Sequence, residues 1–145
     1  MNEDSITFER TYDVPVEKVW QALTDENLMR QWYFPDINFK PEVGYKTTFN
    51  VHQEGTDFLH VWTVTEVRPP EKIAYKWRYE GFPGNSLLTL ELFAQGDNRT
   101  TLKLRHEKLQ SFMPAENPAL SSENFKEGWT HFIKKGLPEF LERKL

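Results

Sequence analysis

Between Ile37 and Glu107 apolar and polar residues alternate with a period of two, the signature of strands with one face buried. The apolar sets are Tyr45, Thr47, Phe49 and Val51; Phe58, His60, Trp62 and Val64; Ile73, Tyr75, Trp77 and Tyr79; Leu88, Leu90 and Leu92; and Leu102, Leu104 and His106. Turn-forming residues at Glu54-Gly55, Pro69-Pro70, Gly81 to Asn85 and Gly96-Asp97-Asn98 separate the runs, and these connections are short enough for antiparallel neighbours. A meander is the economical topology. The intervening positions hold Lys46, Thr48, Asn50, Lys72, Lys76, Arg78, Glu91, Lys103 and Arg105, so one sheet face is wet and the other must be covered. Ile6 to Tyr12 alternates in the same way, with Ile6, Phe8 and Tyr12 as its apolar members.

Two stretches follow a helical period instead. After Pro15, which suits a helix start, Val16, Val19, Trp20 and Leu23 share one side of a helix over Val16 to Thr24. Asp25 can cap a second short helix carrying Leu28, Met29 and Trp32, which Pro35 stops. At the other end of the chain, the Met113 to Leu120 loop leads to Ser121-Ser122, N-cap types for a helix from about Glu123 toward Leu145. Its apolar stripe is Phe125, Trp129, Phe132, Ile133, Phe140 and Leu141, and at 1.5 Å per residue it spans roughly 30 Å, enough to cross the sheet. Pro138 removes a backbone donor within this pattern and Gly136 softens the same place, so an interruption is expected there. The pattern as a whole predicts one α+β domain over residues 1–145. It is of the helix-grip type: a curved antiparallel sheet of six to seven strands around a long C-terminal helix, with two short helices after the first strand.

Composition narrows the function. A net charge of −4 supplies no basic face for nucleic-acid phosphates. With no cysteine there is neither a disulfide framework nor a thiolate site, which fits the cytoplasm. The N-terminus, Met1 to Asp4, is polar and runs straight into a strand, unlike a signal peptide or membrane span, and no stable membrane association is expected. Aromatic residues make up 14% of the chain, more than packing alone demands.

Several runs resemble one known family. Glu9-Arg10-Thr11-Tyr12-Asp13-Val14-Pro15-Val16-Glu17-Lys18-Val19-Trp20-Gln21-Ala22-Leu23-Thr24-Asp25, followed by Leu28, Trp32 and Tyr33, is similar to the opening strand and helix of the START-like or SRPBCC superfamily. Within it, the closest likeness is to the group named after the C-terminal domain of the activator of heat-shock protein 90 ATPase. Val64 to Ile73 with Trp77 resembles that group's hairpin, Thr100 to His106 its late strand, and Gly128-Trp129 with Leu137, Phe140, Leu141 and Glu142 its closing helix. Two departures stand out: Val43-Gly44 replaces a double glycine, and Trp62 replaces a glycine. If Trp62 points inward, its indole fills space the family leaves open, giving a smaller or reshaped pocket. The resemblance implies the helix-grip fold; its members include lipid and hormone binders, polyketide cyclases or aromatases, and chaperone-activating domains.

The candidate ligand-binding set is Trp32, Phe34, Phe49, His60, Trp62, Tyr75, Trp77, Tyr79, Leu90, Leu104, His106, Phe125, Trp129, Phe132 and Ile133, converging between sheet and helix. The plainer alternative is that these rings fill the core. His60 and His106 are in phase with apolar neighbours and could orient a ligand or, with Tyr75 or Tyr79, move a proton; equally, each could be a histidine satisfied by backbone or water. No catalytic residue is assigned, and His60, His106 and Tyr75 are the candidates should the chain be an enzyme. His52, His60, His106 and His131 show no metal-ligand spacing, and no nucleotide-binding or hydrolase motif is present, so neither metal nor cofactor is expected. The carboxylates Asp36, Glu54, Asp57 and Glu107 fall at strand ends or turns, where solvation is the default. Phe82 and the apolar residues of Phe112 to Leu120 could instead meet a protein partner.

Three functions therefore compete. The leading one is a noncatalytic binder of an apolar small molecule such as a lipid or polycyclic aromatic, acting as a monomer or weak dimer. The second is a cyclase- or aromatase-like enzyme using those histidines and tyrosines. The third, suggested by the family name, is a chaperone-associated interaction domain.

Overall fold

The alternating runs build one six-stranded antiparallel sheet, seen in a computed structural model that describes residues 3–53 and 55–144. Met1, Asn2, Glu54 and Leu145 lie outside the described residues, and with them part of the N-terminal segment, half of the expected Glu54-Gly55 turn and the end of the last helix. The strands are β1 (Ser5–Tyr12), β2 (Lys46–Gln53), β3 (Thr56–Arg68), β4 (Lys72–Tyr79), β5 (Ser86–Ala94) and β6 (Thr100–Glu107). Their order is β1-β6-β5-β4-β3-β2: a meander from β2 to β6, with β1 brought round beside β6. In β3 the pairing slips between Val64 and Glu66, so Thr65 is an extra residue that bulges the long strand.

Register places the inward residues in rows across the sheet. Phe49 faces His60, His60 faces Tyr79, Trp62 faces Trp77, Tyr75 faces Leu88, and Leu88 faces His106. All are buried and all belong to the apolar phase read from the sequence.

After β1, α1 (Val16–Thr24) starts at Pro15, and α2 (Glu26–Trp32) is capped by Asp25, whose carboxylate accepts from the Asn27 and Leu28 N–H groups. The C-terminal cover begins with α3 (Ser122–His131), where the Ser121 hydroxyl oxygen accepts from the Asn124 N–H at 3.2 Å. Instead of one unbroken helix, a wide π turn over Phe132–Gly136 joins α3 to α4 (Leu137–Lys144).

Pro138 explains the turn. Leu137 N–H bonds the Phe132 carbonyl five residues back, so the next bond in that pattern, to the Ile133 carbonyl, would have to come from Pro138, which has no N–H. Tyr12 supplies the missing donor: its hydroxyl donates to the Ile133 carbonyl at 2.6 Å. Burial raises the phenol's pKa well above its ordinary value and keeps it a donor. Gly136, in the same turn, leaves room for the Trp32 carbonyl, which would sit 3.1 Å from an added Cβ. The interruption thus ties the cover to β1 and to the end of α2.

Candidate functional site

Most of the aromatic set is spent on filling the interior. Trp62 is fully buried and points inward, with ring centroids of Tyr75, Trp77 and Phe49 at 4.7, 4.9 and 4.9 Å. Among the described residues its buried Nε1–H has no hydrogen-bond partner, an uncompensated cost. Trp32 is anchored elsewhere: its Nε1–H donates to the Ala22 carbonyl at 2.7 Å, and its ring stacks on Tyr33. Tyr75 shares a 3.0 Å hydrogen bond with Tyr33, and burial raises both phenols' pKa values well above the ordinary range. Leu90, Leu104 and Ile133 are core residues at 3% exposure or less.

Space remains at one end. A cleft of about 370 Å³ opens between α3 and the β2 end of the sheet, strands β2 to β4, within the usual size range for small-molecule sites. Of the fifteen candidates, Phe34, His60, Trp77, Tyr79, Phe125, Trp129 and Phe132 line it; Trp32, Phe49, Trp62, Tyr75, Leu90, Leu104, His106 and Ile133 do not. Phe49 nonetheless backs the wall, stacked on His60 at 4.5 Å. The sequence reading did not include Val51, Gln53, Phe58, Ala119, Leu120, Asn124, Glu127 and Gly128. Val51 and Phe58 were in the inward phase and could have been added. The α3 residues depend on how the helix lies on the sheet, which no strand period reveals.

Gly128 has a specific part in this geometry. It sits in the middle of α3 with no positive φ, where glycine costs about 1 kcal/mol relative to alanine, yet an added Cβ would meet nothing within 4 Å. Neither backbone strain nor close packing requires it. Gly128 lines the cleft, and a side chain added there would enter open space.

The two inward histidines have opposite environments. Trp129 Nε1–H donates to His106 Nδ1 at 3.1 Å, so the ring's proton lies on Nε2. Nε2–H then donates to the Ser86 hydroxyl oxygen at 2.8 Å, and Ser86 donates to the Trp77 carbonyl at 2.7 Å. Both His106 nitrogens are used, the residue is fully buried, and burial pushes its pKa down to about 3. It is a neutral strut pinning α3 to the sheet, with no nitrogen free for acid–base chemistry.

His60 has one free nitrogen. Nδ1–H donates to the Phe58 carbonyl at 2.9 Å, since a carbonyl can only accept, and this leaves Nε2 as a bare acceptor on a ring that lines the cleft. Burial pushes its pKa down to about 4, the Phe58 bond opposing only in part. Beside it, the Tyr79 hydroxyl accepts from Trp77 Nε1–H at 2.8 Å, and burial raises its pKa.

Other candidates resolve as packing. Phe82 stacks on Phe58 at 5.3 Å, and Phe112 and Leu120 are buried, leaving Met113 as the exposed large apolar residue of that loop. The loop therefore lacks the apolar patch the sequence suggested. Asp57 is exposed and pairs with His52 at 2.8 Å, a contact that lowers its pKa. Among the described residues no three His, Asp or Glu side chains converge as metal ligands.

The family model described as activator of Hsp90 ATPase homolog 1-like protein matches residues 13–142. The chain belongs to that family. Solved structures agree with this assignment to the activator of Hsp90 ATPase homolog 1-like family. A Mesorhizobium loti protein is 27% identical with a TM-score of 0.75, over 97% of this chain and 98% of its own. An HSP90 activator from Plasmodium falciparum is 26% identical with a TM-score of 0.72, over 91% and 92%. A protein of the dynemicin biosynthetic locus, 21% identical, superposes 97% of this chain on 48% of its own with a TM-score of 0.74, a likeness of fold alone. No curated protein matches. Among the described residues no helix is long and apolar enough to cross a membrane.

Proposed function

We propose that this chain binds an apolar, ring-bearing small molecule, without converting it, in the cleft between α3 and β2 to β4. The observation that carries the reading is Gly128: a mid-helix glycine that neither strain nor packing requires, beside a cleft walled by Phe34, Trp77, Phe125, Trp129 and Phe132. Burial of the ligand supplies affinity, at roughly 25 cal/mol per Å² of apolar surface before the costs of association are subtracted. The cyclase-like alternative loses His106, which is closed by two hydrogen bonds, and would have to rest on His60 with the neighbouring Tyr79 hydroxyl.

The test is a titration of apolar aromatics and lipids followed by indole chemical shifts. Trp77 and Trp129 should move, while Trp32, bonded to the Ala22 carbonyl outside the cleft, should stay put. Gly128→Leu should abolish binding without loss of stability, since it removes a helix-interior glycine and fills vacant space. A flat response of the wild type to every compound, or full binding by Gly128→Leu, would sink the proposal.

The likeness to the Plasmodium falciparum HSP90 activator favours one other reading, a chaperone-associated domain. Stimulation of purified Hsp90 ATPase that survives Gly128→Leu would support it over the binder.

A further inference from the structure

The cleft reading says where an apolar ligand sits; the polar atoms around it say what that ligand must carry. We infer that the cleft selects a neutral aromatic bearing a hydrogen-bond donor, such as a phenolic hydroxyl, over its carboxylate or purely hydrocarbon counterparts, with His60 Nε2 accepting the bond. This rests on the cleft being the binding site.

Three observations carry it. First, the tautomer is fixed by the backbone: Nδ1 is committed to the Phe58 carbonyl, so Nε2 presents a lone pair and no proton. Second, that lone pair is unanswered. Among the described residues no protein donor bonds Nε2, the residue is only 5% exposed, and its ring is held edge-on to Tyr79 and stacked on Phe49. A nearly buried acceptor of this kind gains from a ligand O–H or N–H and is left unsatisfied by a ligand that offers none. Third, the charge pattern opposes anions. Among the described residues the cleft is lined by no lysine or arginine, and its one formally charged side chain is Glu127 on the α3 rim. A carboxylate set against Nε2 would meet a second acceptor, with Glu127 a like charge on the rim and no lining cation to balance it. The flat walls of Phe34, Trp77 and Phe132 suit a ring system, whose π-faces can stack or meet edge to face.

The experiment compares 2-naphthol, 2-methylnaphthalene and 2-naphthoate at pH 7.5, three ligands of one shape that differ in the polar group. Wild type should bind 2-naphthol about three- to tenfold more tightly than 2-methylnaphthalene, the worth of one hydrogen bond, and 2-naphthoate most weakly. His60→Phe should bind 2-naphthol and 2-methylnaphthalene equally. A readout that needs no variant is the ring nitrogen-15 spectrum: Nε2 of His60 should have the shift of an unprotonated nitrogen and should move with 2-naphthol but not with 2-methylnaphthalene. Equal affinity for the three ligands, tighter binding of 2-naphthoate, or a protonated Nε2 would overturn the inference while leaving the cleft as a binding site. Failure of all three ligands to bind would remove the cleft reading and this inference together.

Discussion

The two buried histidines make the fold acid-sensitive in a way that can be worked out. His106 and His60 carry folded-state pKa values of about 3 and about 4, both driven down by burial, against about 6.5 in an unfolded chain. Between those limits the unfolded chain binds two protons that the folded chain excludes, so stability rises with pH and is lost as pH falls below about 6.5. Among the described residues no charged group offsets this at His106, which is surrounded by Ile6, Trp77, Phe125, Trp129, Ser86 and Leu88; near His60 the cleft's one charge is the exposed Glu127. At pH 5.0 each histidine costs about 2 kcal/mol, one and a half pH units below its unfolded pKa at about 1.36 kcal/mol per unit, and the pair about 4 kcal/mol. For a domain whose total stability is of order 5–15 kcal/mol, that is a large fraction. Urea unfolding at pH 7.5 and pH 5.0 measures it: the midpoint should fall steeply while the denaturant slope stays constant. The double variant His60→Gln/His106→Gln should be less stable than wild type at pH 7.5 but nearly flat across the same interval. A wild-type stability that changes by less than about 1 kcal/mol between the two pH values would refute the assignment of both rings as buried and neutral.

Tyr12→Phe should destabilise by about 1–3 kcal/mol, because it orphans the Ile133 carbonyl that Pro138 cannot serve. In a Pro138→Ala background a backbone donor returns, so the cost of Tyr12→Phe should shrink; additive effects in a double-mutant cycle would contradict this origin of the π turn. Gly84→Ala should cost about 2–4 kcal/mol, since a Cβ there would lie 2.5 Å from the Ser111 carbonyl oxygen at φ +101°. Gly81→Ala, at φ +84° with open space, should cost only about 1–2 kcal/mol, and equal midpoints in thermal melts would show that the close approach to Ser111 does not matter.

The sheet was legible because burial on one face imposes a period of two, and each of the five later strands contains the apolar run that predicted it save Tyr45, which falls one residue before β2. Helix starts were legible for the same local reason: Pro15, Asp25 and Ser121 act within one turn of their own positions. Pro138 signalled a break in the last helix, but not its form. A kink, a stop and a π turn all avoid the missing donor, and the choice depended on Tyr12, some 120 residues away, reaching the Ile133 carbonyl.

The site was less legible, and the histidines show why. His60 and His106 carry the same local pattern, each in the inward phase of a strand, and periodicity places both against the core without distinguishing them. What separates them lies across the sheet and on the helix. Trp77 and Ser86 are register partners, and the Ser86 hydroxyl oxygen accepts from His106, while α3 sets Trp129 above the same ring; both nitrogens are consumed. His60 lies on β3 between Phe49 and Tyr79, and its backbone partner, the Phe58 carbonyl, is two residues away on its own strand. Only one nitrogen is consumed, and the ring lies at the end of the sheet where the cleft, lined on the α3 side by Gly128, remains open. A histidine's availability for a ligand is thus decided by non-local partners, and among these two residues the structure leaves only His60 available.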